Sequence, residues 1–266
     1  MAKNQVMVVG IPFDENSSFL RGPALAPPQI RAAMHCGSAN LSTELGMDLA
    51  AEEGWQDVGD LDLPGGSAAL DRIEREVDEL LRQGARVFSL GGDHSVTYPL
   101  VRAHARHHSQ LTILHLDAHP DLYDELDGNR LSHACPFARI LEEGLCSRLI
   151  QVGIRTLNPH QRQQAARFGV EIHEARRWQN DANLSMSGPI YLSLDLDVLD
   201  PGFAPGVSHY EPGGFSVRDV LHILHSVDAP IVGADLVEFN PTRDPGGVTA
   251  MVAAKFYKEV VGRMLG

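Results

Sequence analysis

Six side chains in this sequence, His94, Asp117, His119, Asp121, Asp195 and Asp197, have the types and spacing to hold divalent metal ions. They fall in the short segments Gly91-Gly92-Asp93-His94-Ser95, Asp117-Ala118-His119-Pro120-Asp121 and Asp195-Leu196-Asp197. Alternate residues of an extended chain face the same side, so Asp117, His119 and Asp121 are expected to point one way, as are Asp195 and Asp197. Carboxylates crowded on one edge repel one another and cannot all stay ionised without a compensating cation. Two divalent ions supply that charge, and a carboxylate has two oxygens with which to bridge them. Such ions sit about 3.5–4 Å apart and activate a water as a nucleophile. Mixed carboxylate and imidazole donors suit Mn2+ and also admit Ni2+, Co2+ or Zn2+. Alone, each segment has an ordinary explanation: a turn with a polar cap, a solvated loop, an Asp before a turn. Their coincidence is what points to a site.

The elements that must position these residues are legible as apolar runs. Strands are predicted at Val6–Val9, Val87–Leu90, Thr112–Leu116, Leu149–Val152, Ile190–Leu194 and Ile231–Ala234, each nearly continuous in apolar residues, as in a sheet covered on both faces. Helical periodicity appears over Ala68–Gln83, Pro159–Phe168, Val217–Ser226 and Thr249–Leu265. This alternation predicts an α/β fold with a mostly parallel, doubly wound sheet and right-handed crossovers. In such a sheet ligands bind where strands end at their carboxyl edge. The three metal-type segments follow predicted strands there, and a fourth, Asp235-Leu236-Val237-Glu238, follows Ile231–Ala234. The Gly/Pro-rich stretches read as loops rather than linkers, so residues 1–266 are expected to form one domain.

Bulk properties narrow the partners. The chain has 266 residues, a formal charge of −13, 43% hydrophobic and 21% charged residues, values of a globular protein with a substantial core. The acidity, unrelieved by any basic run, argues against nucleic acid and anionic membranes as partners. No stretch approaches a membrane span, and the N-terminus lacks the marks of a signal peptide. Cys36, Cys135 and Cys146 are an odd number without metal-type spacing, which predicts no disulfide framework and a cytoplasmic location. Cys135 reads as packing. His104, His107, His108, His160 and His173 read as surface residues, and Asp93 and Asp235 as caps or hydrogen-bond partners of the ligands.

GGDHS at 91–95, DAHPD at 117–121, SLDLDVLDP at 193–201 and DLVEFNP at 235–241 together resemble the arginase–agmatinase (ureohydrolase) family. The likeness runs from GIPFD at 10–14 to VTAMVAAK at 248–255, and SHACPFARI at 132–140 with APGVSHYEPGG at 204–214 is similar to plant-type arginases and their bacterial relatives. The resemblance implies a three-layer αβα arginase-like fold and two Mn2+ per chain. His94, Asp117, Asp121 and Asp195 would hold one ion and Asp117, His119, Asp195 and Asp197 the other, with Asp117 and Asp195 bridging and Asp121 also serving catalysis. A hydroxide between the ions would attack the carbon of a guanidinium and release urea and an amine. Glu238 would hold the guanidinium and His133 would move a proton to the leaving amine. For the substrate tail the candidates are Asn129, Arg130 and His209.

Arg130 could pair with a substrate carboxylate or stand as a solvated surface arginine, whereas Asp124, Glu125 and Asp127 would welcome the free amine of agmatine. The animal-type arginine-clamping loop is not reproduced, so the reading leans slightly to a small cationic substrate, agmatine (giving putrescine), with L-arginine (giving ornithine) close behind. Guanidinobutyrate and formiminoglutamate are further options. The resemblance also implies a homo-trimer or homo-hexamer. Two rivals from other classes are a single-zinc, deacetylase-type amidohydrolase and a non-catalytic binding protein. Asp121, Asp197 and His94 favour two metals over one.

Overall fold

The computed structural model describes residues 5–179 and 184–266. Eight parallel strands, β1 (Val6–Gly10), β2 (Trp55–Asp60), β3 (Arg86–Leu90), β4 (Thr112–Leu116), β5 (Arg148–Ile154), β6 (Glu171–Glu174), β7 (Ile190–Asp195) and β8 (Ile231–Val237), form one sheet in the order β2-β1-β3-β8-β7-β4-β5-β6. Their neighbours are α1 (Ala26–Met34), α2 (Ser67–Arg82), α3 (Thr97–Ala105), α4 (Pro136–Glu142), α5 (Pro159–Phe168), α6 (Val217–Ser226) and α7 (Val248–Leu265).

The helices cover both faces of the sheet. Ile30 of α1, Leu221 of α6 and Phe256 of α7 pack on one face against Val8, Phe88, Leu114 and Leu192. Ile73 of α2, Leu100 of α3, Phe137 of α4 and Ala165 of α5 pack on the other against Val9, Val87, Ile113 and Tyr191. Successive strand residues serve opposite cores, as the pleat requires, and the fold is the three-layer α/β arrangement expected.

The six predicted strands and four predicted helices are present within a few residues of their expected bounds. The edge strands β2 (WQDVGD) and β6 (EIHE) carry no continuous apolar run, because an outermost strand is half wetted: the residues of β2 alternate between partly buried and exposed. Helix α1 begins APP and has proline in its first turn, where no intrahelical N–H is required. His104 departs from its expected surface position. It is fully buried, its ring 4.9 Å from that of Tyr191. The space comes from Gly233, where an added Cβ would lie 2.2 Å from His104 Nε2.

Candidate active site

The central strands β3, β8, β7 and β4 end side by side, and their carboxyl ends carry the chemistry. Past β3 the chain turns through Gly91-Gly92. A side chain at Gly92 would meet the carbonyl oxygen of Phe13 at 1.7 Å, so only glycine permits this approach. The Gly92 carbonyl then accepts from Glu238 N at 2.9 Å, which ties the end of β8 to the end of β3. Asp93 caps the single helical turn His94–Val96 by accepting from Ser95 N at 3.0 Å, and it also accepts from Asn16 N. It holds the loop and makes no bond to a metal-type residue through these contacts.

His94 is fully buried, and its Nδ1 has no hydrogen-bond partner among the described residues. That atom faces Oδ2 of Asp117 at 3.2 Å, of Asp121 at 3.1 Å and of Asp195 at 3.1 Å. The far side of the ring explains which nitrogen is free. Ser193 gives its hydroxyl proton to Asp235 Oδ1 at 2.8 Å, so its oxygen accepts from His94 Nε2 at 2.9 Å. A neutral imidazole with its proton on Nε2 turns the Nδ1 lone pair toward the carboxylates. Four ligand-type atoms that converge on one point fit a divalent cation. The second cluster joins His119 Nδ1 to Asp197 Oδ2 at 2.9 Å and Asp117 Oδ1 at 3.4 Å. Asp117 therefore gives one oxygen to each cluster. Asp195 offers Oδ2 to the first, while its Oδ1 accepts from Asp197 N at 2.8 Å.

The route to this convergence differs from a simple alternating strand. Strand β4 stops at Leu116, and Asp117–Asp121 is a loop in which Asp121 adopts φ 47°. Asp195 ends β7 and caps the single turn Leu196–Val198, which carries Asp197. Glu238 likewise has φ 62°. Such left-handed backbone costs a non-glycine residue of order 1–3 kcal/mol and is typical of functional sites.

The electrostatics agree with a cation site. Burial, reinforced by Asp197 and Asp117, pushes the Asp195 carboxyl well above the ordinary range. Burial likewise lifts Asp197 to about 6. Burial opposes charge on His94, yet its carboxylate neighbours raise it well above the imidazole range. The cluster draws protons for want of other positive charge, and a divalent cation relieves the same repulsion.

A cavity opens over the cluster, lined by His119, Asp121, Asp195, Asp197, His133, His209 and Glu238 and also by Ser18, Tyr123, Leu126, Thr156, Gln161 and Glu211. His133 Nδ1 lies 2.7 Å from Glu238 Oε1, which also accepts from His94 N at 2.9 Å. His133 Nε2 meets Ser18 Oγ at 2.8 Å. Burial would lower the His133 pKa, but the Glu238 carboxylate outweighs it and holds the imidazole at about 9. The His209 ring stands 5.9 Å from His119 and 5.3 Å from His133.

Asn129 and Arg130 fall outside this cavity. Arg130 is half exposed and pairs with Asp124 at 2.7 Å and Glu142 at 2.9 Å. Asn129 donates to Asn16 Oδ1 at 3.2 Å. Asp124, which also holds Arg139, is committed to the same network, and Glu125 and Asp127 are exposed away from the cavity lining. Ser18, Thr156, Gln161 and Glu211 had no local signal, since hydroxyls, amides and lone acids are common in any loop. Ser193 did have one: it precedes Asp195 by two residues and so shares its strand face.

Residues 4–262 match the family described as "Arginase family". "Arginase 1, mitochondrial" of Arabidopsis thaliana is 48% identical over 280 residues, covering 99% of this chain and 82% of that protein. "Agmatinase" of Bacillus anthracis is 32% identical, covering 97% and 91%. The solved structure "Arginase from Medicago truncatula" superposes with a TM-score of 0.94 at 41% identity, covering 98% of this chain and 87% of that one.

Proposed function

The chain belongs to the arginase family and is a hydrolase of guanidino C–N bonds, and from that premise we propose that its substrate is L-arginine, split into ornithine and urea with two Mn2+ ions held in the cluster. His94, Asp117, Asp121 and Asp195 would hold one ion, and Asp117, His119, Asp195 and Asp197 the other. When bound, the ions supply positive charge against the carboxylates and a nucleophilic water at neutral pH.

The observation that carries the reading is the setting of Glu238. Its donors among the described residues, His94 N and His133 Nδ1, both address Oε1. Oε2 receives none of them, so the buried carboxylate keeps an acceptor for a planar guanidinium in the cavity that it lines. His133, protonated at neutral pH by virtue of Glu238, has a proton to give the departing amine. Asp121, between the His94 cluster and the cavity, would accept a proton in the same step.

The identity of 48% to a plant arginase against 32% to an agmatinase supports arginine over the agmatine preference drawn from the 123–132 loop. That preference rested on the absence of the animal-type arginine-clamping loop, and the acids that would favour it either pair with arginines or stand off the cavity. On the cavity walls, Glu211 suits an α-ammonium, while the Ser18 hydroxyl and His209 suit an α-carboxylate. The cytoplasmic location and a trimer or hexamer belong to the same proposal. The three free thiols of Cys36, Cys135 and Cys146 support the first, and light scattering of purified protein tests the second.

The test of substrate is kcat/KM for arginine, agmatine, guanidinobutyrate and formiminoglutamate on Mn2+-loaded protein. Arginine is expected to lead. A preference for any of the other three would overturn the assignment.

A further inference from the structure

One layer beneath the ligands, polar residues form a row across the sheet interior. Gln151 of β5 is in register with His115 of β4, His115 with Ser193 of β7, and Ser193 with Asp235 of β8. All are fully buried. The Asp235–Ser193 end directs the His94 ring, as described above. The other end is not accounted for by metal ligation or by substrate binding.

Its geometry leaves one assignment of protons. Gln151 Nε2 lies 2.7 Å from the Pro120 carbonyl oxygen and 3.0 Å from His115 Nδ1. With the amide reversed, two carbonyl oxygens would face each other at 2.7 Å, so the nitrogen must point here and donate to both. His115 Nδ1 thus accepts, the ring carries its proton on Nε2, and Nε2 donates to Asp117 Oδ2 at 2.8 Å. Phe137 covers the ring, centroid to centroid 4.0 Å, and keeps it from turning. The other Asp117 oxygen, Oδ1, accepts from His119 N at 2.5 Å. Each oxygen of Asp117 therefore has one fixed donor behind it and a remaining lone pair for its own cluster. By holding the Pro120 carbonyl, Gln151 also anchors the loop between His119 and Asp121.

We propose that Gln151 and His115 form a positioning relay that orients the Asp117 carboxylate to bridge two metal ions. His115 is not itself a ligand in this arrangement: one ring nitrogen is occupied by the Gln151 amide and the other by a proton shared with Asp117. The inference rests on the two-metal reading.

The test measures Mn2+ affinity and stoichiometry by calorimetric titration of metal-free protein and by metal analysis after dialysis, independently of turnover. His115→Phe keeps the ring shape without the donor. It is expected to bind Mn2+ about 10–100-fold more weakly, the usual effect of losing a hydrogen bond to a ligand. His115→Gln can place an amide N–H near the position of Nε2 and is expected to recover most of that loss. Gln151→Leu removes the donor to Nδ1 and with it the constraint that fixes the ring proton on Nε2, and should also weaken binding. Circular dichroism and thermal unfolding of each metal-free variant identify any that fail to fold; if His115→Phe does, wild-type affinity in the folded Gln151 variant overturns the relay.

Wild-type affinity in folded His115→Phe, or equal losses in His115→Phe and His115→Gln, would overturn the relay. A fall from two ions to one at saturating Mn2+ in both His115 variants would make His115 a ligand and overturn it as well. Wild-type protein that binds fewer than two ions would instead overturn the two-metal reading beneath it.

Discussion

The floor of the cavity and the 123–132 loop beside it are both rich in charge, but they dispose of it in opposite ways. In the floor, buried carboxylates crowd two imidazoles, and His94 Nδ1 has no hydrogen-bond partner among the described residues. In the loop, Arg130 and Asp124 neutralise each other and are further paired with Glu142 and Arg139 of α4. A charged network complete in itself has little affinity left to offer a ligand. One that lacks a counter-charge is a binding site for it. Counting acids in a sequence does not separate these cases; finding which acids already have cationic partners does.

The contrast is broken most directly by removing the missing charge. Dialysis against a chelator should drop urea release to background, with recovery on adding Mn2+ and about two ions bound per chain at full activity. A metal-free chain that still turns over would make the floor no different from the loop.

His133→Asn should lower kcat by about 10²–10⁴-fold, the range for loss of a positioned proton donor, with bound metal unchanged. If metal content falls in parallel, His133 belongs to the cluster and not to the proton path.

Glu238→Gln keeps the shape and removes the charge. The loss in kcat/KM for arginine should correspond to about 2–5 kcal/mol, as for truncating a buried charge pair. Metal stoichiometry should remain as in the wild type, and retained catalytic efficiency would end the proposed role of Glu238 as guanidinium anchor.

Arg130→Ala is expected to have the smallest effect: unchanged KM for arginine and an unchanged unfolding midpoint, because its partners are surface acids. A large rise in KM would show that Arg130 reaches the substrate after all.

The legibility of the chain follows the same division. Strands β3, β4, β7 and β8 lie inside the sheet, where both faces are covered, so their sequences are nearly continuous in apolar residues and announce themselves. Edge strands β2 and β6 do not. The donor residues of the floor could be read because each group directly follows one of those apolar runs. Alternation suggested convergence, but it is the turns at Asp117–Asp121 and Leu196–Val198 that bring the donors together. Arg130 and Asp124 could not be judged locally, since a partner such as Arg139 lies 15 residues from Asp124. His104 read as exposed because its burial depends on the absence of a side chain at Gly233 on another strand.

The sequence alone determined which donors stand after which strands, the covered parallel sheet and, by resemblance, the class of reaction, because burial and ligand type are written residue by residue. Only the tertiary structure decided that β8 and β7 lie between β3 and β4, which sets His94 N against a Glu238 oxygen 144 residues away. It also decided which carboxylate oxygen faces which imidazole, and that His115 and Gln151 stand behind Asp117. Those choices belong to strand order, register and hydrogen-bond direction. They are properties of pairs of distant residues, and no local pattern carries them.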